Sequence, residues 1–103
     1  MIRLELMMGL DIPDAGTVSE AMFDEFIRTD IGPHLEYATI LDGVGLWRGV
    51  KENCKILVIM APESDQDELQ STLRAIGKSY QRAFRQESVG LVITPNVPLE
   101  LIS

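Results

Sequence analysis

Residues 55–94 read KILVIMAPESDQDELQSTLRAIGKSYQRAFRQESVGLVIT, and a strand, a helix and a second strand follow one another in them. The run 55–61, KILVIMA, is apolar, rich in β-branched residues and bounded by Pro62, which makes it the strongest strand in the chain. Ser64 then stands as an N-cap, with Asp65, Asp67 and Glu68 where the helix dipole favours anions. Leu69, Leu73, Ile76, Tyr80, Ala83 and Phe84 recur at helical spacing and define one apolar face. Lys78, Arg82 and Arg85 sit toward the other end, where cations are favoured. Residues 89–94 are a short strand, and Pro95 and Pro98 keep the tail NVPLELIS out of a sheet interior.

Upstream, the same order repeats. Ile2, Leu4, Leu6 and Met8 alternate with Arg3, Glu5 and Met7, the period of a half-buried strand. Gly9 and the turn-rich residues 11–16 end it. Thr17 offers an N-cap with Glu20 completing a capping box, and Met22, Phe23, Phe26, Ile27 and Ile31 form a helical face. Gly32-Pro33 stops that helix. A second strand is expected over 37–47, with Gly43 and Gly45 hinting at a bulge, and a polar turn over 49–53. The order β-α-β-β-α-β predicts an α+β fold, a ferredoxin-like two-layer sandwich with antiparallel sheet order 4-1-3-2. Residues 1–94 are expected to form this single domain and 95–103 a C-terminal tail.

The chain has 103 residues, enough for one core. Sixteen Asp and Glu against nine Lys and Arg give a net charge of −7, the wrong sign for generic binding to nucleic acid or an anionic membrane. One Cys excludes an internal disulfide, and one Cys with one His is too little for a zinc site. No motif calls for a metal or a cofactor, and neither is expected. The opening MIRLELMMGLDIPD lacks the pattern of a signal peptide, and no apolar run approaches a membrane span, so a cytoplasmic protein is expected.

Two helices cover one face of a four-stranded sheet. Assigning Ile2, Leu4, Leu6 and Met8, with Ile56, Val58, Met60, Val89, Leu91 and Ile93, to the helix side leaves Arg3, Glu5, Met7, Leu41, Trp47, Lys55, Leu57, Ile59, Val92 and Thr94 on the other. That face is too apolar for water, so a homodimer is expected, packed by sheet face or by edge. The alternative cover is the tail, with Val97, Leu99, Leu101 and Ile102.

Strand directions bring the end of the first strand, Trp47-Arg48 and Gln86-Glu87-Ser88 to one rim. An indole stacks and a guanidinium recognises carboxylate or phosphate, so Trp47, Arg48, Gln86, Glu87 and Ser88 are the candidate ligand-binding residues. Their plainer roles are an interface Trp, a local ion pair of Arg48 with Asp42 or Glu52, and helix termination. Glu87 and Glu5 are weak candidates for a general base. Glu5, flanked by Arg3 and Lys55, reads more simply as a cross-strand ion pair. Tyr80 reads as core, His34 as a solvated loop residue, and Cys54, between Lys51 and Lys55, as a packing residue rather than an activated thiol.

Glu5-Leu6 with Gly9-Leu10, the segment Asp42-x-x-Gly45-x-Trp47-Arg48, and Tyr80-x-x-x-Phe84-x-Gln86-Glu87-Ser88-Val89 together resemble a small uncharacterised bacterial domain family. Its members carry G-x-W-R and F-x-Q-E-S-V motifs in this order, and the match spans roughly residues 4–93. The resemblance implies a shared fold and motif positions and assigns no activity. Many members look exported, and their connection between the second and third strands is longer.

The leading function is a non-catalytic homodimeric binding domain for a small polar or anionic ligand, held at the strand-end rim or between subunits. A second is a small acidic protein-interaction module, an inhibitor or adaptor such as phages encode. A third is an enzyme of the dimeric α/β-barrel type with Glu5 or Glu87 as base.

Overall fold

The computed structural model describes residues 1–103. Two helices pack on one face of an antiparallel sheet. The strands are β1 (Ile2–Gly9), β2 (Asp11–Ile12), β3 (Gly16–Thr17), β4 (Thr39–Trp47), β5 (Val50–Ala61) and β6 (Gly90–Thr94). The helices are α1 (Glu20–Phe26), continued by a π-helical turn Ile27–Ile31, and α2 (Gln66–Phe84). The long strands lie in the order β4-β5-β1-β6, and β2 and β3 form a separate two-stranded ribbon.

The core lies between helices and sheet. Ile2, Leu4, Leu6 and Met8 alternate inward from β1, where they meet Phe23, Phe26 and Ile31 and, from α2, Leu73, Ile76, Tyr80 and Phe84. Phe26, Tyr80 and Phe84 stack at centroid separations of 4.9–6.0 Å, favourable edge-to-face and tilted geometry for aromatic side chains.

The facing of β5 is the reverse of expectation. Leu4 pairs with Ile59 and Leu6 with Leu57, so Lys55, Leu57, Ile59 and Ala61 face the helices and Ile56, Val58 and Met60 face away. KILVIMA is apolar at both parities, and the single lysine suggested the solvent side. Instead Lys55 is buried, its ammonium 2.5 Å from Asp42 Oδ1 and 2.8 Å from Glu20 Oε1 and 5.5 Å from the Phe23 ring centre. These partners hold its pKa above the usual lysine value, the Asp42 and Glu20 hydrogen bonds outweighing burial. Lys55 therefore does not approach Glu5.

Several element ends also differ. Ser19, not Thr17, caps α1: its Oγ accepts from the Met22 N–H at 3.1 Å, and Met22 Sδ accepts from the Ser19 N–H. Ser64 lies in a 3₁₀ turn, Glu63–Asp65, and α2 begins after it with no side-chain cap. Of the turn expected over 49–53, only Gly49 is turn, and 50–53 belong to β5. β4 and β5 join through Arg48-Gly49 alone, both with positive φ (50° and 79°), as a two-residue turn of the hairpin type requires. No helix is long and apolar enough to cross a membrane.

Candidate functional site

The short turn lengthens the β4–β5 hairpin beyond the end of β1. Pairing between β1 and β5 stops at Gly9–Cys54, while pairing between β4 and β5 continues to Trp47–Val50. The overhang brings Trp47 and Glu52 over the end of β1, on the sheet face away from the helices. From the other side come the residues that leave α2. Arg85 takes a left-handed conformation at the helix end, φ 51°, and turns the chain so that Gln86, Glu87 and Ser88 reach the same rim.

Gly9, Trp47, Glu52, Gln86, Glu87 and Ser88 line one cavity of about 520 Å³, the largest concavity on the molecule. The two edges of the sheet contribute to it together. Four of the five expected ligand-binding residues meet here. Arg48 does not: it occupies the hairpin turn, with its guanidinium 5.3 Å from the Trp47 ring centre. Trp47 is 71% exposed, so an indole face stands open to a ligand.

The floor is fixed by hydrogen bonds. Tyr80, fully buried in the core, donates through its hydroxyl to the Gly9 carbonyl at 2.5 Å. Burial, with the Glu52 carboxylate nearby, pushes the Tyr80 pKa up to about 12, so the phenol stays protonated and keeps donating. Gln86 donates through Nε2 to the carbonyls of Asp11 (2.8 Å) and Phe84 (3.1 Å), which leaves its Oε1 toward Gly9. Gln81 donates to the Glu87 carbonyl, and Arg85 to that of Pro13 at 2.5 Å. Gly9 gives its neighbours room: a Cβ there would overlap the flexible end of Glu52 at Oε1 and lie 3.2 Å from Gln86 Oε1.

The chemistry of the wall is two carboxylates, an amide oxygen, a hydroxyl and an indole. Such a surface accepts hydrogen bonds and stacks on a flat ring. Sequence reasoning missed Glu52 and the part of Tyr80 in the floor. The signal for Glu52 was Gly49, which permits a two-residue turn and carries the alternation of β5 back to Val50. For Tyr80 it was a hydroxyl on an otherwise apolar face, since a buried Tyr oxygen finds a partner.

The remaining candidates stand elsewhere. Glu5 projects from β1 onto the open face, its Oε1 2.6 Å from Arg3 Nε. Cys54 lies across from Gly43 on that face, whereas Lys51 and Lys55 alternate to the opposite one, so no lysine lies beside the thiol. His34 is exposed at the far end of the sheet, in a concavity shared with Glu36, Tyr37, Asp65 and Glu68. No group of three or more His, Cys, Asp or Glu side chains is placed to hold a metal ion.

The fold occurs in solved structures. A phage SAM lyase in complex with S-methyl-5'-thioadenosine superposes with a TM-score of 0.68 at 22% identity, covering 90% of this chain and 79% of that one. A phage SAM lyase in the apo state gives 0.66, also at 22% identity, over 90% and 78%. A DUF3240 family protein from Shewanella baltica gives 0.54 at 18% identity, over 99% and 97%. No curated protein matches the sequence. The sequence model of DUF3574, described as a protein of unknown function, matches residues 3–97, and the chain belongs to that family.

Proposed function

We propose that the protein is a ferredoxin-like, non-catalytic binding domain whose strand-end cleft holds a small polar ligand carrying a flat ring, a nucleoside thioether being the best-fitting class. The observation that carries this reading is the cleft itself: a Trp face, two carboxylates and fixed hydrogen-bonding groups, gathered from both sheet edges around a glycine whose lack of a side chain gives them room. Its volume lies within the usual range of small-molecule sites, roughly 300–1,000 Å³. The strand order supports the ferredoxin-like assignment, since the four long strands counted along the chain stand as 4-1-3-2. The phage SAM lyase of the same fold, solved with S-methyl-5'-thioadenosine, supports the ligand class.

Charge refines the ligand. Arg48 lies off the wall while Glu52 and Glu87 lie on it, so the part of the ligand facing them is neutral or cationic rather than anionic. A sulfonium satisfies that condition, and an adenine satisfies the indole.

The chain has one Trp, so intrinsic fluorescence reports the cleft directly. Titration with S-methyl-5'-thioadenosine and with SAM is expected to change Trp47 emission saturably, with a matching rise in melting temperature. Absence of both responses at millimolar ligand overturns the reading. A second reading, a lyase with Glu52 or Glu87 as proton acceptor, is favoured only by the neighbour's activity. Incubation with SAM separates the two: unchanged SAM supports a binding domain, and release of S-methyl-5'-thioadenosine supports an enzyme.

A further inference from the structure

The sheet face away from the helices is apolar and uncovered. Met7, Leu41 and Val92 are 43%, 44% and 41% exposed on it, around the half-buried Ile56 and Met60 and the buried Val58. The tail does not cover it. Val97 donates to the carbonyl of Met1, which carries the chain past the start of β1, and Leu101 and Ile102 remain 85% and 91% exposed.

The charges on this face say what does. By register, Arg3 and Glu5 are its only charged side chains apart from Glu52 at the cleft. They stand two residues apart on a central strand, Arg3 between Met60 and Thr94, and Glu5 between Val58 and Val92. An apolar partner would bury this pair with nothing further to satisfy it, and burial of ions without added partners is unfavourable. A twofold axis in the interface, crossing the strands at the level of Leu4, brings each Arg3 opposite the Glu5 of the other copy. Facing sheets pack about 10 Å apart, within reach of an Arg and a Glu extended toward each other. Each ion then has two opposite charges around it instead of one.

We infer that two copies of this chain pack sheet to sheet through this face, with Arg3 and Glu5 exchanged between them in a four-membered charge ring. The inference is independent of the ligand cleft, because its test reads assembly alone.

The test is charge complementation followed by native mass spectrometry and sedimentation. Wild type is expected at twice the 11.5 kDa chain mass at micromolar concentration. Arg3→Glu and Glu5→Arg each place four like charges in the ring and are expected to be monomers. Mixed one to one, they become complementary and are expected to form a heterodimer. Met7→Glu, at an exposed position that a folded monomer tolerates, is expected to be monomeric with an unchanged circular dichroism spectrum. A monomeric wild type, a Met7→Glu variant that still dimerises, or single-charge variants that dimerise as well alone as when mixed would each overturn the inference.

Discussion

Lys55 separates two ways in which a charge is tolerated in a small core. Its side chain is 7% exposed, yet Glu20 and Asp42, which hold it, are 76% and 80% exposed. The desolvation therefore falls almost wholly on the ammonium. Removing both carboxylates (Glu20→Gln with Asp42→Asn) leaves that ammonium packed over Phe23 with no counter-charge, a change of about 1–3 kcal/mol. For a domain of this size each kcal/mol moves the melting temperature by about 4–8 °C, so the double variant is expected to melt roughly 4–24 °C lower. Removing the cation instead (Lys55→Met) leaves two carboxylates that water solvates well and an apolar side chain over Phe23. That variant is expected to stay within about 1 kcal/mol of wild type. The assay is thermal and urea unfolding of the three proteins at neutral pH. The pH dependence has a definite sign. The folded pKa of Lys55 lies above its unfolded value, so its contribution is complete below the ordinary lysine pKa and is lost as pH rises through the folded one. If the double carboxylate variant were as stable as Lys55→Met, the ion triad would not be holding the ammonium and the reasoning would fail.

Three further outcomes are expected. Tyr80→Phe removes the hydrogen bond to Gly9, about 1 kcal/mol; because burial lifts the Tyr80 pKa to about 12, wild-type stability falls between pH 10 and 12, and the Phe variant, titrated by denaturant unfolding, is expected to fall less steeply there. Gly49→Ala, at φ 79°, is expected to lower stability by about 1–2 kcal/mol, while Arg48→Gly, which relieves a non-glycine residue at φ 50°, is expected not to lower it. Gly9→Ala displaces the end of the flexible Glu52 side chain and presses slightly on Gln86 Oε1, so melting is expected to change little while Trp47-detected ligand affinity falls by about tenfold or more, equivalent to about 1.4 kcal/mol.

The parts of this fold legible in the sequence are those where one physical rule acts alone. Alternation in Ile2–Gly9 and the four-and-three spacing from Leu69 to Phe84 each identify an element, because only one face of each is apolar. The facing of β5 was not legible, because both parities of KILVIMA are apolar and the one charge was misleading. A lysine is taken to face water, but here Glu20, which is far away in sequence, supplies a partner that local pattern does not contain. The site shows the same division. Trp47 and Gln86-Glu87-Ser88 fall at one rim from strand direction alone. Glu52 depended on hairpin length, which hung on Arg48 accepting a positive φ that Asn or Gly ordinarily supplies. Arg48 itself left the site for that reason.

The central claim is that the strand-end cleft is the ligand site, and amide chemical-shift mapping tests it most directly. With S-methyl-5'-thioadenosine added to ¹⁵N-labelled protein, the account predicts saturable shifts confined to Gly9, Glu52, Gln86, Glu87, Ser88 and the Trp47 indole N–H. Shifts centred instead on His34, Tyr37 and Glu68 at the far end of the sheet, or no shifts at all, would contradict it.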